Sequence, residues 1–216
     1  MPKETFFNLP EEKRRRIIDA AINEFANYSF YKSSINRIVE RAQIAKGSFY
    51  QYFSGKKDLY KHIIDLVGER KLDYFGDFIN NLDSLEFFQL LRELYVRGIK
   101  FTKENPKFQA IGENFIKTEN EALKREIYGE ASKRSDDFFE KILVMGREKG
   151  DINPNLDLKL TSFLLTKLNF AISDYLFENI DREGEVSMED IYDELLPLVD
   201  KFIYILENGI GIRDKG

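Results

Sequence analysis

From residue 46 to 57 the chain reads KGSFYQYFSGKK, and most of these side chains suit contact with a polyanion. Lys46 can neutralise a phosphate, and Gly47 lets a backbone approach a duplex closely. Ser48 and Gln51 are polar groups able to reach base edges in a major groove. Tyr50 and Tyr52 carry hydroxyls that can donate to phosphate oxygens, and rings that can equally pack beneath a helix. Lys56 and Lys57 stand where the next apolar-periodic stretch begins, at a helix start whose dipole favours an anion. Phe49 and Phe53 are spaced to face the opposite way, as anchors to a core.

These residues need helices to hold them. Apolar side chains recur at three and four positions almost throughout, so the fold class expected is all-α. A first helix begins after Pro10 and carries Ile17, Ile18, Ala21, Ile22 and Phe25 on one face. Ser33 or Ser34 can cap a short second helix striped by Ile35, Ile38 and Val39. A third runs from about Lys46 to Tyr52, after a turn at residues 42–45. Two short helices joined by a turn and braced by a longer one have helix-turn-helix geometry. Ser54 can cap a fourth helix from Lys56, and Ser84 one that ends near Pro106. Further helices are expected over about 106–117, 120–149 with Gly150 as its stop, 156–180 and 187–208.

Charge divides along the same line. The net charge of −5 resolves into +5 over residues 1–62 and −10 over the remainder, so a basic end is attached to an acidic body. Other classes are poorly served. With no cysteine and one histidine, His62, thiolate metal sites, a cysteine nucleophile and the usual histidine clusters are absent. No Gly-x-Ser-x-Gly, P-loop or dinucleotide fingerprint occurs. Residues 151–155 (DINPN) resemble a calcium loop, but Leu156 and Ser162 stand where its glycine and glutamate are required. No catalytic residue, metal or cofactor is therefore expected. The N-terminus lacks a signal-like apolar run, and the apolar stretch near 163–172 is too short for a membrane span. A cytoplasmic protein is the expectation.

Over roughly residues 11–62 the chain resembles the tetracycline-repressor (TetR) family of one-component regulators. The matching residues are Phe25, Phe30, Ser33-Ser34-Ile35, Ile38-Val39, Ala42, Ile44, the run Lys46 to Phe53, and Lys56 with Leu59, without a gap. Three positions depart: Ser29 and Gln43 stand in place of glycines, and Ala45 in place of the serine that would cap the third helix. Ser29 is expected to strain a left-handed turn. The resemblance implies that Ser33, Ser34, Tyr50, Tyr52 and Lys56 contact phosphates, that Ser48 and Gln51 read bases, and that Lys46 and Gly47 lie against the DNA. Arg14, Arg15 and Arg16 are either an additional arm on the DNA or a solvated first turn.

The resemblance further implies residues 1–55 as the DNA-binding domain and 56–216 as a helical domain for effector binding and dimerisation. A small, largely apolar effector would release the protein from a palindromic operator. Candidates for its pocket are Phe88, Leu91, Tyr95, Phe108, Ile111, Phe115, Phe138 and Phe170, with Asn114, Asn169 and Ser173 as polar groups. Core packing is the alternative for each. The last two helices carry apolar residues on more than one face, which calls for two neighbours. Leu164, Leu168, Ile172, Leu195, Leu198, Phe202 and Ile205 are the candidates for a homodimer interface, the alternative being a central core helix in a monomer. A helical carrier or interaction protein without DNA binding is the competing class.

Overall fold

The computed structural model describes residues 1–76, 78, 84–118, 120–179 and 188–209. They form helices α1 (Glu4–Phe7), α2 (Glu11–Asn27), α3 (Ile35–Arg41), α4 (Lys46–Tyr52), α5 (Lys56–Phe75), α6 (Phe87–Glu104), α7 (Pro106–Ile116), α8 (Glu121–Lys149), α9 (Leu158–Asn179) and α10 (Met188–Asn208). No strand occurs among the described residues, so the all-α expectation holds. The short helix α1 was not anticipated.

The chain forms two compact units, one of residues 1–74 with 102–131 and one of residues 75–101 with 132–216. In the first, the apolar stripe of α2 (Ile17, Ala21, Phe25) meets Ile38, Phe49, Phe53, Leu59 and Ile63, all essentially inaccessible to water. Helix α7 closes this core with Ile111, and α8 adds Leu123 and Ile127. Asn114 on α7 donates to the carbonyls of Phe25 and Ala26 at 3.0 and 3.1 Å. Those are last-turn carbonyls of α2, which the helix itself leaves without partners. Asn114 is thus bonded to backbone.

Two helix ends show how local chemistry sets the boundaries. At the end of α8 the Asp151 N–H bonds the Gly146 carbonyl and the Gly150 N–H that of Arg147, with Gly150 at φ 82°. This is a Schellman motif with glycine at its left-handed position. The same motif ends α3, where the Ile44 N–H bonds Val39 and the Gln43 N–H bonds Glu40. Here the left-handed residue, at φ 55°, is Gln43. Ser29, by contrast, is not among the residues with positive φ, so the strain expected there is absent.

The second unit is built around Phe87, Leu90, Leu91, Ile142, Leu143, Leu165, Val199, Phe202 and Ile203. Its helix α6 begins at Phe87 and takes its cap from elsewhere: the Asp151 carboxylate accepts the Phe87 N–H at 2.9 Å. Asp151 reaches this helix start from the turn after α8, a contact that spacing along the chain does not reveal. The Asn153 side chain accepts the Asn155 N–H at 2.9 Å, so residues 151–155 form a turn between helices.

Candidate nucleic-acid interface

Helix α4 is held from behind by Phe49 and Phe53, both fully buried and 5.5 Å apart between ring centroids. With its back pinned, the helix turns Lys46, Gly47, Tyr50 and Gln51 outward, and Ser48 is half-exposed beside them. A Cβ built on Gly47 would meet nothing within 4 Å, so the surface beside it is open. The structure therefore brings five of the nine expected DNA-contacting residues onto one exposed surface. Ala45 at the helix start makes no side-chain cap.

The other four lie differently. Tyr52 is 5% exposed against 44% for Tyr50; its ring packs 6.3 Å from Phe6, with the Lys13 ammonium 5.7 Å from its centroid. Ser33 is buried, and its hydroxyl donates to the Phe30 carbonyl at 2.7 Å. The Ser34 N–H donates to a Glu24 carboxylate oxygen at 2.7 Å, and its side chain makes no cap. Lys56 Nζ donates to the carbonyls of Phe30 and Ser33 at 2.6 and 2.9 Å and sits 4.7 Å from the centre of the Phe30 ring. Burial pulls its ammonium below the usual lysine range, against the opposing pull of Glu24. The side chains of Tyr52, Ser33 and Lys56, with the backbone N–H of Ser34, are thus occupied in fixing the turn before α3 and the back of α4.

Two supports escaped sequence reasoning. Glu24, a buried carboxylate on α2, accepts from Arg37 of α3 through Nε and a terminal nitrogen, and Arg37 also stacks 4.2 Å over the Tyr28 ring. A lone glutamate on the apolar face of α2 was the available signal. The second is the segment before α2. Lys3 and Thr5 bond to the last carbonyls of α4, and Phe6 is buried 4.8 Å from Phe53. The Phe6-Phe7 pair ahead of Pro10 was its only trace in the sequence. His62 packs edge-on to Phe6 at 5.6 Å, and burial lowers its pKa despite Asp65, Glu69 and Asp58 nearby. Of the arginine run, Arg14 donates to the Phe7 carbonyl at 3.1 Å and Arg16 pairs with Glu12 at 3.7 Å.

The expected pocket residues separate between the two units. Phe108, Ile111 and Phe115 pack in the core of the first, against α2. Phe88, Leu91, Tyr95 and Phe138 belong to the second. There Tyr95 stands edge-on to Phe202 at 5.3 Å with its hydroxyl buried and unbonded, and burial raises its pKa. The buried Thr166 hydroxyl is also unbonded. Asn169 is half-buried; the side chains of Phe170 and Ser173 lie outside the described residues. Among the dimerisation candidates, Leu164 and Leu168 share an outward face of α9 with Leu160, Phe163 and Tyr175, each 36% to 56% exposed. Ile205 is exposed on α10, Ile172 and Leu198 are half-buried, and Leu195 and Phe202 are buried.

Among the described residues, no helix is long and apolar enough to cross a membrane, and no cluster of three or more His, Cys, Asp or Glu could hold a metal ion.

Comparison with known proteins agrees with this geometry. The profile of bacterial regulatory proteins of the tetR family matches residues 17–63. A crystal structure of a TetR family transcriptional regulator from Chloroflexus aurantiacus is 33% identical, covers 99% of this chain and 100% of that one, and superposes with a TM-score of 0.61. The Escherichia coli HTH-type transcriptional regulator UidR is 27% identical over 79% of this chain and 85% of its own length. The Bacillus subtilis regulator FadR, crystallised in complex with stearoyl-CoA, shares the fold at 20% identity, with a TM-score of 0.68 over 91% of this chain and 99% of its own.

Proposed function

The chain belongs to the tetracycline-repressor family of DNA-binding transcriptional regulators, and from that premise we propose that it is a cytoplasmic, homodimeric repressor released from a palindromic operator by a small, largely apolar effector. The observation that carries this reading is the outward surface of α4, where Lys46, Gly47, Ser48, Tyr50 and Gln51 stand together on a helix pinned by two buried phenylalanines. Lys46 and Tyr50 hold phosphates, while Ser48 and Gln51 read base edges. Ser33, Ser34, Tyr52 and Lys56 shape the turn and helix that present them. In a dimer the two α4 helices enter successive major grooves about 34–36 Å apart. Residues 1–55 do the binding; residues 56–216 sense the effector and pair the subunits.

The effector acts by preferring a dimer whose helix spacing no longer matches the operator. In the second unit the hydroxyls of Tyr95 and Thr166 are buried and unbonded, polar groups that would suit the head of an otherwise apolar ligand. The stearoyl-CoA of the Bacillus subtilis protein is of that class, so long-chain acyl-CoA is the first compound to try.

Selection of bound sequences from a random duplex pool, with and without palmitoyl-CoA, tests the proposal. The expected result is a palindromic consensus whose retention falls with salt and is lost on adding acyl-CoA. Lys46→Ala with Tyr50→Phe should weaken binding at least about tenfold with the fold intact. Failure of the unaltered chain to retain any duplex at physiological salt would favour a carrier or interaction protein.

A further inference from the structure

Helix α4 has seven residues, far fewer than the roughly 12–15 that an isolated helix needs to be even marginally stable. Its last four carbonyls have no partners within the helix. All four are nevertheless satisfied. The Phe53 N–H bonds the carbonyl of Phe49 at 2.9 Å. Lys3 Nζ donates to Tyr50 O at 2.8 Å, the Thr5 hydroxyl donates to Gln51 O, and the Lys3 N–H donates to Tyr52 O at 2.8 Å. Three of the four partners thus come from one short segment more than forty residues upstream. The Lys3 ammonium is also the charge that the negative end of the helix dipole favours.

Phe6 fastens this segment. It is buried between Tyr52, Phe53 and His62, with ring centroids at 6.3, 4.8 and 5.6 Å. Lys3 and Thr5 themselves are exposed, so they do little for the core. At the other end of α4, Ala45 supplies no side-chain cap. The helix therefore lacks a side-chain cap at its start and is held at its end, on the carbonyls of the same residues, Tyr50 and Gln51, whose side chains face outward.

We propose that Lys3 and Thr5, anchored by Phe6, are positioning residues that clamp the end of α4 and set the aim of Tyr50 and Gln51 onto DNA. This rests on the DNA-binding reading above. The clamp should act through the order of α4 and leave overall stability nearly untouched.

The test is Thr5→Val, which removes one donor without changing charge, alongside Lys3→Met and the conservative Lys3→Arg, in the full chain. Two quantities are read: amide hydrogen exchange over residues 46–53, and affinity for the selected duplex against salt. Thr5→Val should speed exchange there several-fold, leave residues 87–101 unchanged, and weaken duplex binding about three- to tenfold at an unaltered salt slope. Lys3→Met should do the same, and Lys3→Arg should restore both. A loss confined to Lys3→Met with a shallower salt slope would make Lys3 a phosphate contact instead and overturn the clamp. So would unchanged exchange, faster exchange with unchanged affinity, or a fall in Tm matching the loss of affinity. If the unaltered chain retains no duplex, the DNA-binding reading fails, and exchange alone then decides whether the clamp holds the helix.

Discussion

Glu24 and Arg37 join α2 to α3 through a two-nitrogen contact, at 3.0 Å from Nε and 2.5 Å from a terminal nitrogen to the same carboxylate oxygen. The carboxylate is 3% exposed and also takes the Ser34 N–H, so it ties the start of α3 to the helix behind it. Removing Arg37 leaves a buried charge with one backbone donor, which costs more than losing both partners. Arg37→Ala should thus destabilise more than Arg37→Ala combined with Glu24→Leu, as urea midpoints would show. An additive double variant would mean that the pair is not coupled.

Gln43 occupies a left-handed position that glycine adopts without strain. Gln43→Gly should raise stability by about 0.5–1 kcal/mol, the relief of strain outweighing the added freedom of the unfolded chain. Ala45→Ser should add roughly 0.5–1 kcal/mol by capping α4. Denaturant unfolding measures both. A loss of stability at position 43 would contradict the Schellman geometry at the end of α3.

His62 is the single histidine, so any imidazole titration of the chain belongs to it. Burial among Phe6, Phe7 and Phe53 depresses its pKa below 6.5 in the folded state, although the carboxylates of Asp65, Glu69 and Asp58 pull the other way. Between that depressed value and 6.5 the unfolded chain binds more protons, so stability rises with pH across this window. The His62 contribution is complete above about pH 6.5 and is lost as pH falls through 6.5 towards the folded pKa. His62→Phe should flatten Tm between pH 5 and 7 relative to the unaltered chain. Parallel profiles would show that His62 is not the cause.

Leu164 and Leu168 stand exposed on α9, whereas Leu195 and Phe202 are buried. Leu164→Glu with Leu168→Glu should give a folded species near 25.4 kDa by sedimentation, where the unaltered chain should sediment near twice that mass. Phe202→Ala should instead cost about 3–5 kcal/mol of stability. Dimers that survive both charges on α9 would move the interface elsewhere.

The sequence by itself determined the helices from α2 onward, the order of the helix-turn-helix and the placing of Lys46, Gly47, Ser48, Tyr50 and Gln51 on the side of α4 away from Phe49 and Phe53. Those features depend on periodicity and spacing within about thirty residues, where Phe49 and Phe53 reveal which side of α4 is inward. Only the tertiary structure decided that Tyr52, Ser33 and Lys56 are engaged internally, since alternation along a helix cannot tell a tyrosine on the surface from one covered by Phe6. The same holds for Asn114 of α7 bonded to the end of α2, Asp151 bonded to the start of α6, and Phe108 and Ile111 in the first core. These last are contacts between segments far apart in the chain, set by which side chain reaches an unpaired backbone group or an apolar face once the chain has folded.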